Sequence, residues 1–197
     1  KSRNIIIEMM EERGYNINDF KNYSINEIEL MYSNHSKSNK DISPLDIKVN
    51  NVYIKYILTP KIRISNIINL LNSIKDSFDE GDTIILILND KISSENSIEE
   101  YFSTLYKNDK LFVQYFDIDS ITFNVSKHEL VPKHTILSED EQESLIKSLY
   151  IKDIKKLPKI KKTDPISKYH GIKKGQVFKI ERPSETSGLY NYFRLCE

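Results

Sequence analysis

The sequence predicts an α/β fold: an amino-terminal α/β domain with a partly parallel sheet, followed by a small α+β domain that ends in a β-hairpin. In the first two thirds of the chain, apolar stretches typical of strands alternate with helical patterns, as in βαβ units. Four of the six prolines and three of the five glycines lie in the last third, which must therefore make many turns. The charge divides similarly: His128–Glu197 holds 14 Lys and Arg against 10 Asp and Glu, and residues 1–127 hold 15 against 19.

Two helices and a loop are predicted at the start of the chain. The amphipathic segment Ile5–Arg13 predicts a helix that stops at Gly14, where a side chain would disfavour the turn. Ile25–Tyr32 predicts a second helix with a weaker pattern. The polar residues of Ser33–Pro44 predict a loop.

A strand, a helix and a second strand follow. Val52–Leu58 is rich in β-branched and aromatic residues, which favours a strand. The next helix is predicted to be capped by Ser65 and to end at Gly81. Its apolar stripe consists of Ile67, Ile68, Leu71, Ile74 and Phe78. The continuously apolar Thr83–Leu88 predicts a strand covered on both faces.

The remaining elements of the first domain complete a β-α-β-α-β order. A helix is predicted at Glu95–Tyr106 and a strand at Leu111–Phe116. We expect Ile121–Val125 to extend or edge the sheet. Strands separated by helices imply parallel pairing, because a crossover helix returns the chain to the same end of the sheet.

In the second domain, two helix starts are marked by capping residues. Ser138 and Glu141 have the spacing of a capping box, in which each side chain accepts a hydrogen bond from a backbone amide at the helix start. This helix is predicted to run to about Tyr150. Asp164 and Pro165 predict a further short helix that ends at Gly171.

The chain ends in a predicted β-hairpin. Gln176–Arg182 alternates apolar and polar residues, as a half-buried strand does. Glu185–Gly188 supplies the residues of a turn, and Leu189–Leu195 alternates back.

Several patterns that resemble active sites fail on spacing. His128 and His134 are six residues apart with a proline between them, which does not fit the zinc motif HExxH. Gly171 and Gly175 lack the spacing of a phosphate-binding loop, and the hydroxyls of residues 184–187 do not lie in a GxSxG elbow. We therefore predict no catalytic residue, no metal site, no cofactor and no small-molecule substrate.

The composition also limits the class of protein. The single cysteine, Cys196, excludes an intramolecular disulfide and a zinc site built from cysteines. No apolar run approaches the ~18 residues that a membrane-spanning helix needs. We expect a soluble intracellular protein that does not associate with a membrane.

Two alternative functions stay open at this point. A metal-dependent nuclease needs two carboxylates and a lysine on adjacent strands, and Asp46–Lys48 is a fragment of such a set. Asp82 and Asp90 lie on either side of a predicted strand, and the need for polar residues at exposed strand ends explains both of them without a metal site. A free-standing nucleic-acid-binding module would use Lys147–Lys174, where ten lysines accompany two aspartates. A solvated or protein-facing surface is the other interpretation of that segment.

Three ordered motifs place the second domain in a known family by resemblance. They are HELVPKH at 128–134, LPKI at 157–160 with TDPISKYHGIKKGQV at 163–177, and SETSGLYNYFRLC at 184–196. They resemble the assembly domain of the fifth subunit that eukaryotic nuclear RNA polymerases share, and the corresponding archaeal protein is similar over the same stretch. The likeness spans Lys127–Glu197, so we place the domains at residues 1–126 and 127–197. Arg3-Asn4-Ile5 and Glu12–Tyr15 resemble the family's first helix.

The resemblance implies a non-catalytic subunit of a DNA-directed RNA polymerase. In this family the carboxy-terminal domain docks on the largest subunit, and the amino-terminal domain is a jaw element along downstream duplex DNA. The implied contacts with the largest subunit are the positions that match the family's motifs: Thr163, Asp164, Pro165, Gly171, Gly175, Ser184, Glu185, Thr186, Ser187, Gly188, Tyr190 and Arg194.

The family's DNA contact implies a second site in this chain. It lies in the loop after the central jaw strand, which corresponds here to Asn89–Ser94. Lys91, Ser93 and Ser94 are the residues there that suit phosphate, by charge and by hydroxyl donors. The flanking Asp90 and Glu95 repel it.

The resemblance also bears on the source of the chain. The divergent first domain and the abundance of Ile, Lys and Asn fit a homologue from a large DNA virus. The expected location is the nucleus if the chain is cellular and eukaryotic, or the host cytoplasm and the virion if it is viral.

Overall fold

The computed structural model describes residues 1–35, 43–92, 95–184 and 188–197. These residues form two compact units, Lys1–Phe123 and Asn124–Glu197, hereafter the amino-terminal and carboxy-terminal units. The domain boundary predicted from the sequence lies three residues further along the chain than this division.

The amino-terminal unit is built on a four-stranded sheet with the order β1-β2-β3-β4. Strand β1 is antiparallel to β2, whereas β2, β3 and β4 are mutually parallel, so the predicted partly parallel sheet is confirmed. The elements are α1 Ser2–Glu12, α2 Ile25–His35, β1 Ile47–Val49, β2 Val52–Ile57, α3 Ile64–Ile74, β3 Thr83–Leu88, α4 Glu95–Asp109 and β4 Phe112–Asp117. Short 3-10 turns occupy Asn18–Phe20, Lys75–Ser77 and Ile118–Ile121.

The central strand β3 is buried along its whole length because the sheet is covered on both faces. Helices α3 and α4 pack on one face, where Leu71 and Phe102 join a cluster with Leu86 of β3. Two right-handed crossovers between strands in sequential order place both helices on the same face. On β4, Gln114 points to the other face and accepts a hydrogen bond of 3.1 Å from Arg13, at the end of α1.

A buried carboxylate fixes the short antiparallel strand β1 on β2. Asp46 precedes β1 and accepts hydrogen bonds from the Tyr53 hydroxyl at 2.9 Å and the Tyr56 amide at 3.0 Å. It also forms an ion pair of 3.4 Å with Lys55, and both of these side chains are almost fully buried. The amide of Ser43 donates to the same carboxylate. One side chain thus satisfies groups from β2 and from the segment that leads into β1.

The carboxy-terminal unit holds a second four-stranded sheet with the order β5-β7-β8-β6. Strands β5, β7 and β8 are antiparallel neighbours, and β6 is parallel to β8. The elements are β5 Lys133–Ile136, α5 Glu139–Ser148, β6 Lys159–Ile160, α6 Pro165–His170, β7 Val177–Ser184 and β8 Gly188–Cys196, with 3-10 turns at Val125–Lys127 and Ile154–Lys156. The pairing of β7 with β8 confirms the predicted hairpin at the end of the chain.

The two faces of this sheet carry separate hydrophobic clusters. On one face Phe178 packs with Ile166 of α6. On the other face Val177 packs with Leu145 of α5. Because successive residues of a strand point to opposite faces, the two helices contact alternate residues of the same hairpin.

Some predicted boundaries are wrong. Helix α2 extends to His35, so the first residues of the predicted loop at Ser33 are helical. Helix α3 begins at Ile64, one residue before the predicted cap Ser65, and no side chain caps it. Helix α4 continues three residues beyond its predicted end, to Asp109.

The predicted strand at Ile121–Val125 is also wrong. The chain forms two 3-10 turns there, because the side chains of Asp117 and Asn124 accept hydrogen bonds from the amides of Ser120 and Ser126. Such local bonds compete with strand pairing. The sequence analysis missed β1, β5 and β6, which have only two to four residues each and therefore no measurable alternation.

We predict that replacing Asp46 with Ala destabilises the amino-terminal unit by about 3–5 kcal/mol, because the change removes one partner of the buried ion pair between Asp46 and Lys55. Native-state hydrogen exchange at the amides of β2 and β3 measures this change in that unit alone. Lys48→Gln, at an exposed position of β1, is the control and should have little effect. A loss below about 1 kcal/mol for Asp46→Ala would contradict the role assigned to the carboxylate.

Candidate functional site

The residues that the resemblance assigns to subunit contact occur at three places in the carboxy-terminal unit. Thr163, Asp164 and Pro165 lie at the start of α6. Gly171 and Gly175 lie in the turns between α6 and β7. Of the others, the described residues Ser184, Gly188, Tyr190 and Arg194 lie in the terminal hairpin formed by β7 and β8.

The start and end of α6 are fixed by the residues that the sequence predicts. Asp164 caps the helix by accepting a 2.9 Å hydrogen bond from the amide of Ile166, and Pro165 occupies the first turn. Gly171 ends the helix with a φ of +68°, a left-handed conformation that glycine adopts without strain. The next amide, of Ile172, donates to the carbonyl of Ser167 at 3.2 Å, and both residues are fully buried. Thr163 and Pro165 are exposed beside this anchored helix.

Gly175 connects the approach to β7 with the end of the chain. It has a φ of +92°, and its amide donates to the carbonyl of Cys196 at 2.9 Å. The amide of Cys196 in turn donates to the carbonyl of Gln176 at 2.9 Å. This pair of bonds fixes the last residues of β8 against the first residues of β7.

Two large side chains at the start of β8 are exposed. The register pairs Ser184 with Gly188 and Pro183 with Leu189. Leu189 is 74% exposed and Tyr190 is 56% exposed, although both belong to a regular strand. Glu185, Thr186 and Ser187 lie outside the described residues. Large exposed side chains on a regular strand are typical of a surface that another protein covers.

The hairpin also extends beyond the strands beside it. Strand β5 pairs with β7 from Phe178 to Glu181. Within the described residues, β6 pairs with the outer edge of β8 at Leu195 and Cys196, and no strand pairs with this edge from Gly188 to Arg194. Unpaired backbone groups along such an edge can accept a strand from a partner.

Arg194 lies on one face of the hairpin beside an aromatic ring. Its guanidinium carbon is 5.6 Å from the centre of the Tyr192 ring, and that of Arg182 is 5.2 Å from the same ring. Both are cation–π distances. The Nε of Arg194 is buried and has no hydrogen-bond partner among the described residues. Tyr190 is on the same face, two residues before Tyr192.

The histidines of the HELVPKH motif serve local structure. His128 accepts a 3.2 Å hydrogen bond from the amide of Leu130 through Nδ1. Nδ1 of His134 lies 2.6 Å from the carbonyl oxygen of Pro132, so this nitrogen carries the proton. The described part of the chain contains no group of three or more His, Cys, Asp and Glu side chains that could hold a metal ion.

Sequence reasoning missed the ring cluster to which His134 belongs. Its ring stacks on that of His170 at 6.3 Å, and both rings meet Phe178 edge-on. Burial lowers the pKa of His134 below its usual value, although the Pro132 carbonyl and Asp164 favour the protonated form. The four residues of β5 are too few to indicate which way His134 faces, and the motif gave no sign of its contact with His170.

In the amino-terminal unit, one of the three residues implied in DNA contact is described. Lys91 is exposed, three residues after the end of β3. Ser93 and Ser94 lie outside the described residues. Asp90, expected to repel phosphate, accepts a 2.7 Å hydrogen bond from the amide of Lys61. Its carboxylate therefore joins the loop after β2 to the loop after β3.

The acids of the proposed nuclease do not converge in the described part of the chain. Asp46 is occupied by its four hydrogen-bond donors. Asp82 and Asp90 lie at opposite ends of β3, a six-residue strand of about 20 Å, and both accept bonds from nearby backbone amides. These three acids therefore do not form the pair of carboxylates beside a lysine that metal-dependent hydrolysis would need.

Some cations of the lysine-rich segment are already paired. Lys159 forms a 2.6 Å ion pair with Glu197, and Lys147 is 4.0 Å from Glu143. Such pairs reduce the positive field of the segment, which favours the interpretation as a solvated or protein-facing surface. A search of the described residues for a helix long and apolar enough to cross a membrane found none.

Comparisons with known proteins identify relatives of both units. Residues 123–196 match the family model described as RNA polymerase Rpb5, C-terminal domain. A Dictyostelium discoideum protein named as a subunit (rpabc1) of DNA-directed RNA polymerases I, II and III is 27% identical over 98% of this chain and 94% of its own length. An Arabidopsis thaliana protein named as subunit 5B of RNA polymerases IV and V is 29% identical over 98% of this chain and 87% of its own.

A third relative is more similar over a shorter stretch. The Caenorhabditis briggsae protein named as subunit RPABC1 of RNA polymerases I, II and III is 40% identical over 86 residues. That alignment spans 44% of this chain and 40% of the worm protein. The residues matched by the family model begin one residue before the carboxy-terminal unit and end one residue before its end.

We predict that His134→Phe makes the chain less sensitive to acid. Because the pKa of His134 is lowered on folding, the unfolded chain takes up its proton more readily, and stability is lost as pH falls below about 6.5. Phenylalanine keeps the ring contacts without a titrating group. Urea unfolding at several pH values from about 7.5 to about 5 should show a shallower decline than in the wild-type chain.

His128→Gln is the matched control for this experiment, since His128 belongs to the same motif but its ring is exposed. It should leave the decline of stability with acid as in the wild-type chain. Equal declines for His134→Phe and the wild-type chain would mean that His134 is not the group responsible.

Proposed function

We infer that the chain is a non-catalytic subunit of a multisubunit DNA-directed RNA polymerase, like the RNA polymerase subunits to which it is similar. The observation that carries this conclusion is the match of residues 123–196 to the family's C-terminal domain. Alignments over 98% of the chain extend the likeness to the amino-terminal unit. Nucleotidyl transfer belongs to the complex as a whole.

The partners of the chain are other polymerase subunits, and we propose that the largest subunit is the one it docks on. The proposed contact surface is the terminal hairpin together with the start of α6. Support comes from the exposed Leu189 and Tyr190 and from the unpaired edge of β8. A strand from the partner would form hydrogen bonds with the unpaired backbone groups of that edge. Burial of Leu189 and Tyr190 against the partner would add apolar contact.

The family positions contribute to this surface in two ways. Asp164, Gly171 and Gly175 hold α6 and the hairpin in place through their capping bonds and turns. Tyr190 and Arg194 offer an aromatic ring and a guanidinium, the side chains that carry most energy at protein interfaces. Thr163, Pro165 and Gly188 are exposed on the same elements, and residues 184–187 connect the two strands.

For the amino-terminal unit, we propose a jaw element that lies near downstream duplex DNA. Lys91 is the described residue of the implied contact loop, and its exposed ammonium suits a backbone phosphate. Ser93 and Ser94 would add hydroxyl donors. Contacts of this kind hold DNA without reading its sequence.

The location follows from the assembly. A polymerase subunit works inside the cell, in the nucleus of a eukaryote, as its relatives indicate. If the chain is a homologue from a large DNA virus, we propose the host cytoplasm and the virion instead.

We predict that Tyr190→Ala combined with Leu189→Asp lowers the affinity for the largest subunit by roughly 30-fold or more, because both side chains would be buried at the centre of the contact. The measurement is the fraction of chain recovered with a tagged largest subunit from cells that express both. The wild-type chain should be recovered in stoichiometric amount.

Tyr150→Asp is the control, since Tyr150 is 94% exposed in the same unit but lies outside the hairpin. It should be recovered like the wild-type chain. Full recovery of the hairpin variant would contradict docking through the hairpin, and absence of the wild-type chain from the purified polymerase would contradict the proposed function itself.

A further inference from the structure

We propose that the amino-terminal unit carries a phosphate-binding cleft for duplex DNA, formed by Lys61, Arg63 and Lys91. The proposal rests on the proposed function, in which this unit lies near downstream DNA. It adds Lys61 and Arg63, which belong to a different loop from the contact that the family resemblance implies. We refer to these three residues as the cation cleft.

The sheet topology brings the three cations to one edge. Strands β2 and β3 are parallel, and Ile57 at the end of β2 pairs with Leu88 at the end of β3. The loops that follow both strands therefore leave the sheet at its carboxyl edge, where open α/β sheets bind ligands. A cleft of about 640 Å³ lies there between these loops and the start of α3.

The cations of the cleft are available to a ligand. All three side chains are exposed, and none forms an ion pair with another residue in the described part of the chain. The one carboxylate in the lining, Asp90, accepts the amide of Lys61 at 2.7 Å. That bond holds Lys61 in a left-handed conformation with a φ of +53°. The cleft thus has three positive charges against one negative charge.

The opposite edge of the same sheet has the opposite charge. A second cleft of about 270 Å³ lies at the amino ends of β3 and β4. Its charged lining residues are Lys75, Asp76, Asp79, Glu80 and Asp109. Residues 1–127 carry four more acidic than basic side chains, so a positive cleft is not what their composition alone would produce. The charge divides the unit into an edge that attracts phosphate and an edge that repels it.

The side chains in the cleft suit a phosphodiester backbone. Arginine binds phosphate oxygens with two parallel hydrogen bonds, and lysine acts as a mobile point charge. Ser65 in the lining adds a hydroxyl donor. The first turn of α3 has no side-chain cap, so its backbone amides can add to the attraction for phosphate. The three cations supply most of that attraction. Contacts of these side chains with backbone phosphates would be independent of the DNA sequence.

The test uses the purified polymerase that contains the variant Lys61→Asn, Arg63→Gln, Lys91→Gln. Asparagine is chosen at position 61 because it tolerates the left-handed conformation there. The affinity of the complex for a linear DNA duplex of arbitrary sequence is measured from about 50 to about 300 mM salt. The slope of log K against log salt should become shallower by about 0.9 for each phosphate that the variant no longer neutralises, and thus by up to about 3.

The control removes the same number of charges from the other edge of the sheet: Lys75→Gln, Lys107→Gln, Lys110→Asn. Lys110 has a φ of +55°, so the Asn substitution there matches the one at Lys61. This variant should keep the wild-type slope. Single variants at each position of the cation cleft should each give a smaller change than the triple variant.

The outcomes separate the cleft from the proposed function. If the triple variant assembles and the slope of log K against log salt is unchanged, the proposed phosphate binding by the cation cleft is wrong. The assignment of the chain as a polymerase subunit would still stand. If the wild-type chain assembles into the polymerase and the triple variant does not, the proposal of a DNA-binding cleft is overturned. That result would indicate that these cations contact an acidic protein partner instead. Failure of the wild-type chain to assemble would overturn the proposed function, and the cleft with it.

Discussion

The carboxy-terminal unit depends on the antiparallel pairing of β7 with β8. This ladder runs from Val177 opposite Leu195 to Ser184 opposite Gly188, and every other element of the unit is placed by it. Its alternating residues form both hydrophobic clusters, and β5 and β6 pair with its outer edges. Because the neighbouring strands are shorter than the hairpin, Leu189 and Tyr190 of β8 stay exposed. The same pairing that builds the core therefore presents the surface proposed for assembly.

The amino-terminal unit shows how a parallel sheet brings charged loop residues together at one edge. Parallel strands end together, so loops that are far apart in sequence meet at the carboxyl edge. Lys61 and Lys91 are 30 residues apart in the chain yet line one cleft. The acidic residues gather at the other edge, which gives a nearly neutral protein a unit with two charged ends. A net charge of zero therefore says little about how charge is distributed over such a chain.

The elements that sequence reasoning found are those with a strong local cause. The capping box at Ser138 and Glu141 is formed as expected, as is the helix from Pro165 to its left-handed end at Gly171. The continuous apolar run of β3 has the predicted bounds. The misses are short strands and 3-10 turns, where two to four residues carry no periodicity and a single Asp or Asn side chain redirects the backbone.

The sequence by itself determined the resemblance of the last third to polymerase subunits, through its ordered motifs. It also determined the order of the main helices and strands and the residues at the tight turns, because capping groups, glycines and apolar runs act on their immediate neighbours. Tertiary structure alone decided three further features: the stacking of His134 on His170, the buried Asp46–Lys55 pair and the cation cleft. Each of these joins residues from separate strands, helices or loops. Strand register and crossover direction bring such residues together, and neither can be read from the spacing of residues along the chain.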